Sequence, residues 1–107
     1  MATSIIKGIS ETTATASSGY TLVENRVVRK GSLLRIRLEA NGTIPANDYR
    51  TVAILPEGYR PKARTVKAIA PTAGATGYLR IQPTGAVDVY PSTTISHVYL
   101  DETILDA

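Results

Sequence analysis

Residues 78–90 read Tyr-Leu-Arg-Ile-Gln-Pro-Thr-Gly-Ala-Val-Asp-Val-Tyr, a stretch that nearly mirrors itself about Pro83-Thr84-Gly85. Leu79, Ile81, Val87 and Val89 occupy one set of alternate positions, and Tyr78, Arg80, Gln82, Asp88 and Tyr90 the other. A period of two is that of a half-buried strand. With Pro83, Thr84 and Gly85 as a three-residue loop, Ile81 faces Val87 and Leu79 faces Val89, while Arg80 meets Asp88 and Tyr78 meets Tyr90. Gly85 then takes the loop position that requires a left-handed backbone. A two-residue loop at Thr84-Gly85 would set Ile81 opposite Asp88 and mix the two faces. The mirror is therefore a register device, and it commits this part of the chain to an antiparallel hairpin.

The rest of the chain repeats the pattern. Leu34, Ile36 and Leu38 alternate with Arg35, Arg37 and Glu39, after a strand over Tyr20–Arg29 and a turn at Lys30-Gly31. Asn41-Gly42 reads as the turn that ends this strand, which also accounts for the glycosylation sequon Asn41-Gly42-Thr43. Thr51–Leu55 is a short apolar run closed by Leu55-Pro56-Glu57-Gly58, with Pro56 at the second turn position and Gly58 at the fourth. Thr65–Ala70 is another, stopped by Pro71 and the loop over 72–77. In Ile95–Asp101, Val98 and Leu100 take one side and His97, Tyr99 and Asp101 the other. No segment has a sustained helical period. About seven or eight short strands between Gly and Pro turns predict an all-β antiparallel sandwich or barrel.

Only Ser10–Gly19 breaks this pattern, being small and polar. It reads as a loop between a first strand (Ser4–Ile9) and the body, or as a linker. Residues 1–19 are thus expected to form a strand and linker segment ahead of a β-domain over 20–107. The apolar content is 43% with no Phe or Trp, so Val, Ile, Leu and Ala must fill the core. Apolar positions such as Leu33 and Tyr99, expected on exposed faces, suggest that identical chains associate.

Several functions are disfavoured. With no cysteine and a single histidine, His97, a zinc site lacks its usual ligands. A serine triad would need His97 bonded to a serine and a carboxylate. Ser96 points to the opposite face of its strand, and Asp101 lies about 13 Å away at strand rise. No spacing singles out a carboxylate pair, and Asp88 has Arg80 as its partner. Gly74-Ala75-Thr76-Gly77 lacks the lysine and helix of a phosphate loop. We expect no enzyme, cofactor or metal. The net charge of +3 is mild, and the densest basic group (Arg60, Lys62, Arg64, Lys67) surrounds Pro61 without interleaved aromatics. Nucleic-acid binding is not expected. Met1–Lys7 lacks the apolar run of a signal peptide and no segment reads as a membrane span, so neither secretion nor membrane insertion is expected.

The series VVRKGSLLRIRLEANGTI (27–44), TVAILPEGYRP (51–61), GYLRIQPTGAVDVY (77–90) and ISHVYLDETI (95–104) resembles the C-terminal head domain of bacteriophage tail-fibre and baseplate proteins, especially of phages infecting Gram-positive bacteria. The most specific piece is Leu55-Pro56-Glu57-Gly58-Tyr59-Arg60-Pro61, followed by the hairpin strands. The resemblance covers about Tyr20–Ile104. It implies a jelly-roll-like head, a homotrimer on a fibre or baseplate beside other tail proteins, and attachment of the virion to a host cell-wall or surface polysaccharide. It also implies synthesis in the bacterial cytoplasm. Related heads often carry a tryptophan in the saccharide site, and this chain has none. A sugar platform would then fall to tyrosine or histidine with charged neighbours.

The hairpin's outer face offers Tyr78, Arg80, Asp88 and Tyr90. The last strand offers His97, Tyr99 and Asp101, and the two sets would form one surface if the strands were neighbours. Tyr49 and Arg50, in the loop Asn47-Asp48-Tyr49-Arg50, form a second candidate. The same residues also read as ordinary cross-strand pairs, and Tyr59 as a packing residue. Two alternatives stay open: a monomeric carbohydrate-binding module, and a purely structural tail subunit.

Overall fold

The computed structural model describes residues 4–6, 9–72 and 74–104. These form ten strands: β1 (Ser4–Ile6), β2 (Ile9–Thr12), β3 (Thr15–Ala16), β4 (Thr21–Lys30), β5 (Leu33–Ile44), β6 (Arg50–Ile54), β7 (Thr65–Ile69), β8 (Gly77–Ile81), β9 (Ala86–Pro91) and β10 (Ile95–Ile104). They make two five-stranded sheets, ordered β1-β2-β4-β5-β10 and β3-β6-β9-β8-β7, in which each pairing is antiparallel. The fold is an antiparallel β-sandwich. The described residues contain no helix long and apolar enough to cross a membrane.

Alternation explains the core. Leu34, Ile36, Leu38 and Ala40 of β5 are buried, and β10 lays Leu100 against Leu38 and Ile104 against Leu34. From the second sheet, Leu79, Ile81, Val87 and Val89 are buried together with Val52 and Ala53. The largest fully buried side chains are Leu, Ile and Val, as a sequence without Phe or Trp requires. Each fully buried aliphatic contributes about 1.5–3 kcal/mol relative to exposure.

The hairpin forms in the expected register, with Tyr78 opposite Tyr90, Leu79 opposite Val89, Arg80 opposite Asp88 and Ile81 opposite Val87. Gln82 N–H donates to Ala86 O at 3.0 Å and Gly85 N–H to Gln82 O at 2.8 Å, closing the loop around Pro83-Thr84-Gly85. Gly85 has φ 94°, and a Cβ there would lie 2.5 Å from Leu55 O and 2.6 Å from Arg60 Nε. The Leu55–Pro61 loop is thus seated on the hairpin turn, with Leu55 N–H donating to Gly85 O at 2.8 Å.

Three local expectations are corrected. Asn41-Gly42 does not end β5, which continues to Ile44. Gly42 (φ 147°) is needed because a Cβ would sit 2.6 Å from the Tyr20 ring and 2.7 Å from Gly19 O, so close approach explains this glycine. The turn after β6 starts at Pro56, since Tyr59 N–H donates to Pro56 O, and Gly58 (φ 86°) takes its third position. That is where a type II turn needs a positive φ. Residues 10–16 are not a linker. β2 pairs with β4 and β3 with β6, so this segment crosses from one sheet to the other. Thr12 and Ala14 are buried, and the Asn25 amide exchanges two hydrogen bonds of 2.7 Å with the Ala14 backbone. Of the first strand expected over Ser4–Ile9, residues 7 and 8 lie outside the described residues.

The edge strands β7 and β10 lie on the same side of the sandwich. Lys67 sits opposite core-facing Leu79, and Glu102 opposite core-facing Ile36. The two meet across the layers at 3.0 Å, and Lys67 Nζ also donates to Thr103 O. Inward charges on edge strands discourage further strand addition there.

Candidate functional site

The outer face of the second sheet is built by two rows of cross-strand neighbours. One runs from Val66 through Arg80 and Asp88 to Thr51, and the other from Ala68 through Tyr78 to Tyr90. Tyr49, just before β6, adds its ring to the second row. Its centroid lies 4.9 Å from that of Tyr90, with the planes tilted at 52°, and Tyr78 lies 6.2 Å from Tyr90 at 56°. Tilted rings at such separations are favourable aromatic pairs. The Arg80 guanidinium carbon lies 3.9 Å from the Tyr49 ring centroid, a cation–π contact.

In the neighbouring row, Asp88 is only 2% exposed although it lies on an outward face. Its carboxylate accepts from Thr51 Oγ1 at 2.6 Å, Arg80 Nε at 2.9 Å and Gln82 Nε2 at 3.2 Å. A buried charge needs such full pairing. Among the described residues no buried side-chain nitrogen or oxygen lacks a partner. The network fixes Arg80 against the Tyr49 ring, while its Nη groups donate no hydrogen bond among the described residues. The hydroxyls of Tyr49, Tyr78 and Tyr90 likewise have none, whereas Tyr20 donates to Thr43 O and Tyr99 to Glu24. The result is a ridge of ring surfaces, half-exposed at Tyr78 (49%), edged by free hydroxyl and guanidinium groups. Apolar ring faces suit sugar C–H groups, and the free polar groups suit sugar hydroxyls.

Of the expected site residues, Tyr49, Tyr78, Arg80 and Tyr90 therefore come together. Tyr49 joins the hairpin site instead of forming a second one. Arg50 does not join: it lies opposite core-facing Val89 and pairs with Asp48 at 3.1 Å. His97 and Tyr99 are not there either, because β10 pairs with β5 in the first sheet. Val98, Leu100 and Ile104 complete the β5 side of the core, and that packing carries His97 and Tyr99 to the opposite outer face. Both are exposed there, with His97 opposite Asn41 and Tyr99 opposite Glu39. Tyr59 is buried at 8%, a packing residue as expected.

Thr51 and Gln82 hold Asp88 within the candidate site, and the sequence did not single them out. Gln82 lies on the same alternate positions as Arg80, so its reach to Asp88 was available as a signal. Thr51 depends on the pairing of β6 with β9, which no local pattern announces. The remaining chemistry-bearing groups are dispersed. Asp101 is held by Arg35 at 3.1 Å, and the described residues contain no group of three His, Asp or Glu that could hold a metal. Arg60 turns inward to Leu55 O at 2.9 Å, so the basic group over 60–67 is partly consumed by the fold. No protein-family model matches the sequence, and no curated protein matches it.

Proposed function

We propose that this chain is a non-catalytic saccharide-binding head of a bacteriophage tail fibre or baseplate, attaching the virion to a bacterial surface polysaccharide. The observation that carries the binding reading is the Tyr49–Tyr90–Tyr78 ridge with Arg80 locked against Tyr49 by buried Asp88. Tyr78 and Tyr90 supply ring faces, Tyr49 positions Arg80, and Arg80 offers its free Nη groups to sugar hydroxyls. The assignment to a phage tail rests on the sequence resemblance over residues 20–104, and the virion location and synthesis in the host cytoplasm follow from it. The proposed homotrimer is supported by the exposed apolar residues Val23 (60%), Leu33 (36%) and Tyr99 (50%).

The ridge is complete within one chain, and that observation favours a monomeric carbohydrate-binding module as a second reading. Light scattering on a size-exclusion column separates the two: a mass of three chains, stable on dilution, supports the fibre head, and a monomer supports the module. A bacterial glycan array probed with the wild-type chain and with Tyr78→Ala tests the binding itself. Saccharide signals that vanish in the variant support the assignment, and an array blank for the wild type contradicts it.

A further inference from the structure

The first sheet's outer face carries a second feature, unrelated to the tyrosine ridge. Arg26 and Arg37 stand directly opposite one another on β4 and β5, and Val28 stands opposite Arg35. Like charges in directly opposed positions are unfavourable unless something neutralises them. Here the three arginines and Val28 line a cleft of about 100 Å³. Each guanidinium is held by a carboxylate: Arg26 Nε by Glu11 at 2.8 Å, Arg37 Nε by Glu24 at 2.8 Å, and Arg35 through Nε and Nη2 by Asp101 at 3.1 and 3.2 Å. Each pair engages Nε, and among the described residues neither Nη group of Arg26 or Arg37, nor Nη1 of Arg35, donates a hydrogen bond.

We propose that this cleft is a phosphate-binding site, taking a tetrahedral phosphate group on the free Nη donors of Arg26, Arg35 and Arg37. The carboxylates orient the guanidinium planes, much as a second layer of residues orients a ligand set. Donors rising from two strands surround a tetrahedral oxyanion better than a planar carboxylate, which one guanidinium fork already satisfies. The volume is more than one water needs and gives room for one such group. An aromatic-free lining makes the cleft a poor sugar site, which separates it from the ridge on the other sheet. Glu11, Glu24 and Asp101 offset the three positive charges, so binding is expected in the millimolar range and weakens with salt.

The test is a titration of the whole chain with inorganic phosphate, followed by nitrogen–proton NMR of the arginine Nε–H signals. Saturable shifts at Arg26, Arg35 and Arg37, with exposed Arg64 unmoved, are the expected result. Arg37→Gln should weaken binding about tenfold, the loss of one charged hydrogen-bond donor. Its backbone spectrum reports whether the fold survives, and Arg26→Gln provides the same test from the facing strand. Dimethyl phosphate distinguishes the ligand's source: binding of both compounds assigns the cleft to a phosphate within a polymer, and binding of inorganic phosphate alone to the free ion. Uniform shifts at all arginines, or none, would overturn the proposal.

Discussion

The two outer faces of the sandwich use the same cross-strand pairing of arginine with a carboxylate and reach opposite results. On the first sheet the partners are solvated, with Arg26 and Glu11 side chains 55% and 44% exposed. On the second, Arg80 and Asp88 are 24% and 2% exposed. The difference lies in what surrounds the carboxylate. Thr51, Arg80 and Gln82 all donate to the buried Asp88, replacing the hydrogen bonds that water would have made, and Tyr49 packs on the Arg80 guanidinium. An exposed pair contributes little and is screened by salt, whereas a buried pair is costly to break. One face is thereby a rigid ridge and the other an adjustable ionic surface.

Breaking the Arg80–Asp88 pair should have the largest effect. Asp88→Ala leaves the part-buried Arg80 without its counter-charge and is expected to cost about 3 kcal/mol in urea denaturation. Glu11→Ala on the other face should cost less than about 1 kcal/mol. Equal losses would dissolve the distinction between the faces. Next comes Arg80→Lys, which keeps the charge but loses the guanidinium over the Tyr49 ring and the Nε hydrogen bond to Asp88; a loss of about 1–2 kcal/mol is expected by the same assay. Tyr78→Ala removes a half-exposed ring and should change stability by less than about 1 kcal/mol. Saccharide binding should nevertheless be lost with it, as calorimetric titration would reveal.

The smallest effects belong to pH on the first face. The Tyr99 hydroxyl is raised above the ordinary phenol value, chiefly because it donates to Glu24 and then because of that carboxylate's charge. Its contribution to stability is present in full below about pH 10 and fades as pH rises through the folded value. Asp101 is held below the usual carboxylate range by its hydrogen bond and charge interaction with Arg35. Its contribution is present above the ordinary aspartate value and fades as pH falls through the lower folded value. A phenolate absorbance titration in which Tyr99→Phe removes the last ionising group would bear out the first shift. Carboxyl-carbon NMR would follow the second.

What was legible in the sequence was what is local. The 78–90 hairpin carries its register in thirteen contiguous residues, so loop length, pairing and both faces could be read directly. Alternation likewise set Leu34, Ile36 and Leu38 on one face of their strand and Val98 and Leu100 on one face of theirs, and all five are buried. What failed depended on distant partners. Asn41-Gly42 looked like a turn because the Tyr20 ring that demands its glycine lies on another strand. The segment over 10–16 looked featureless because small Thr and Ala residues suit a crossing between sheets as well as a linker. His97 and Tyr99 were grouped with the hairpin because alternation fixes which side of a strand a residue takes, but not which sheet the strand joins. Tyr49 reached the ridge, and Thr51 its supports, through the pairing of β6 with β9, a long-range contact of the same kind.

The proposed role of the tyrosine ridge on the second sheet is contact with saccharide. The most direct measurement is ring carbon–proton NMR of the tyrosines during titration with a solubilised cell-wall polysaccharide fragment from a Gram-positive bacterium. Saturable shifts are expected at Tyr78 and Tyr90, smaller ones at Tyr49, and none at Tyr99. Shifts confined to Tyr99, or binding that leaves every ring signal of the ridge unmoved, would contradict it.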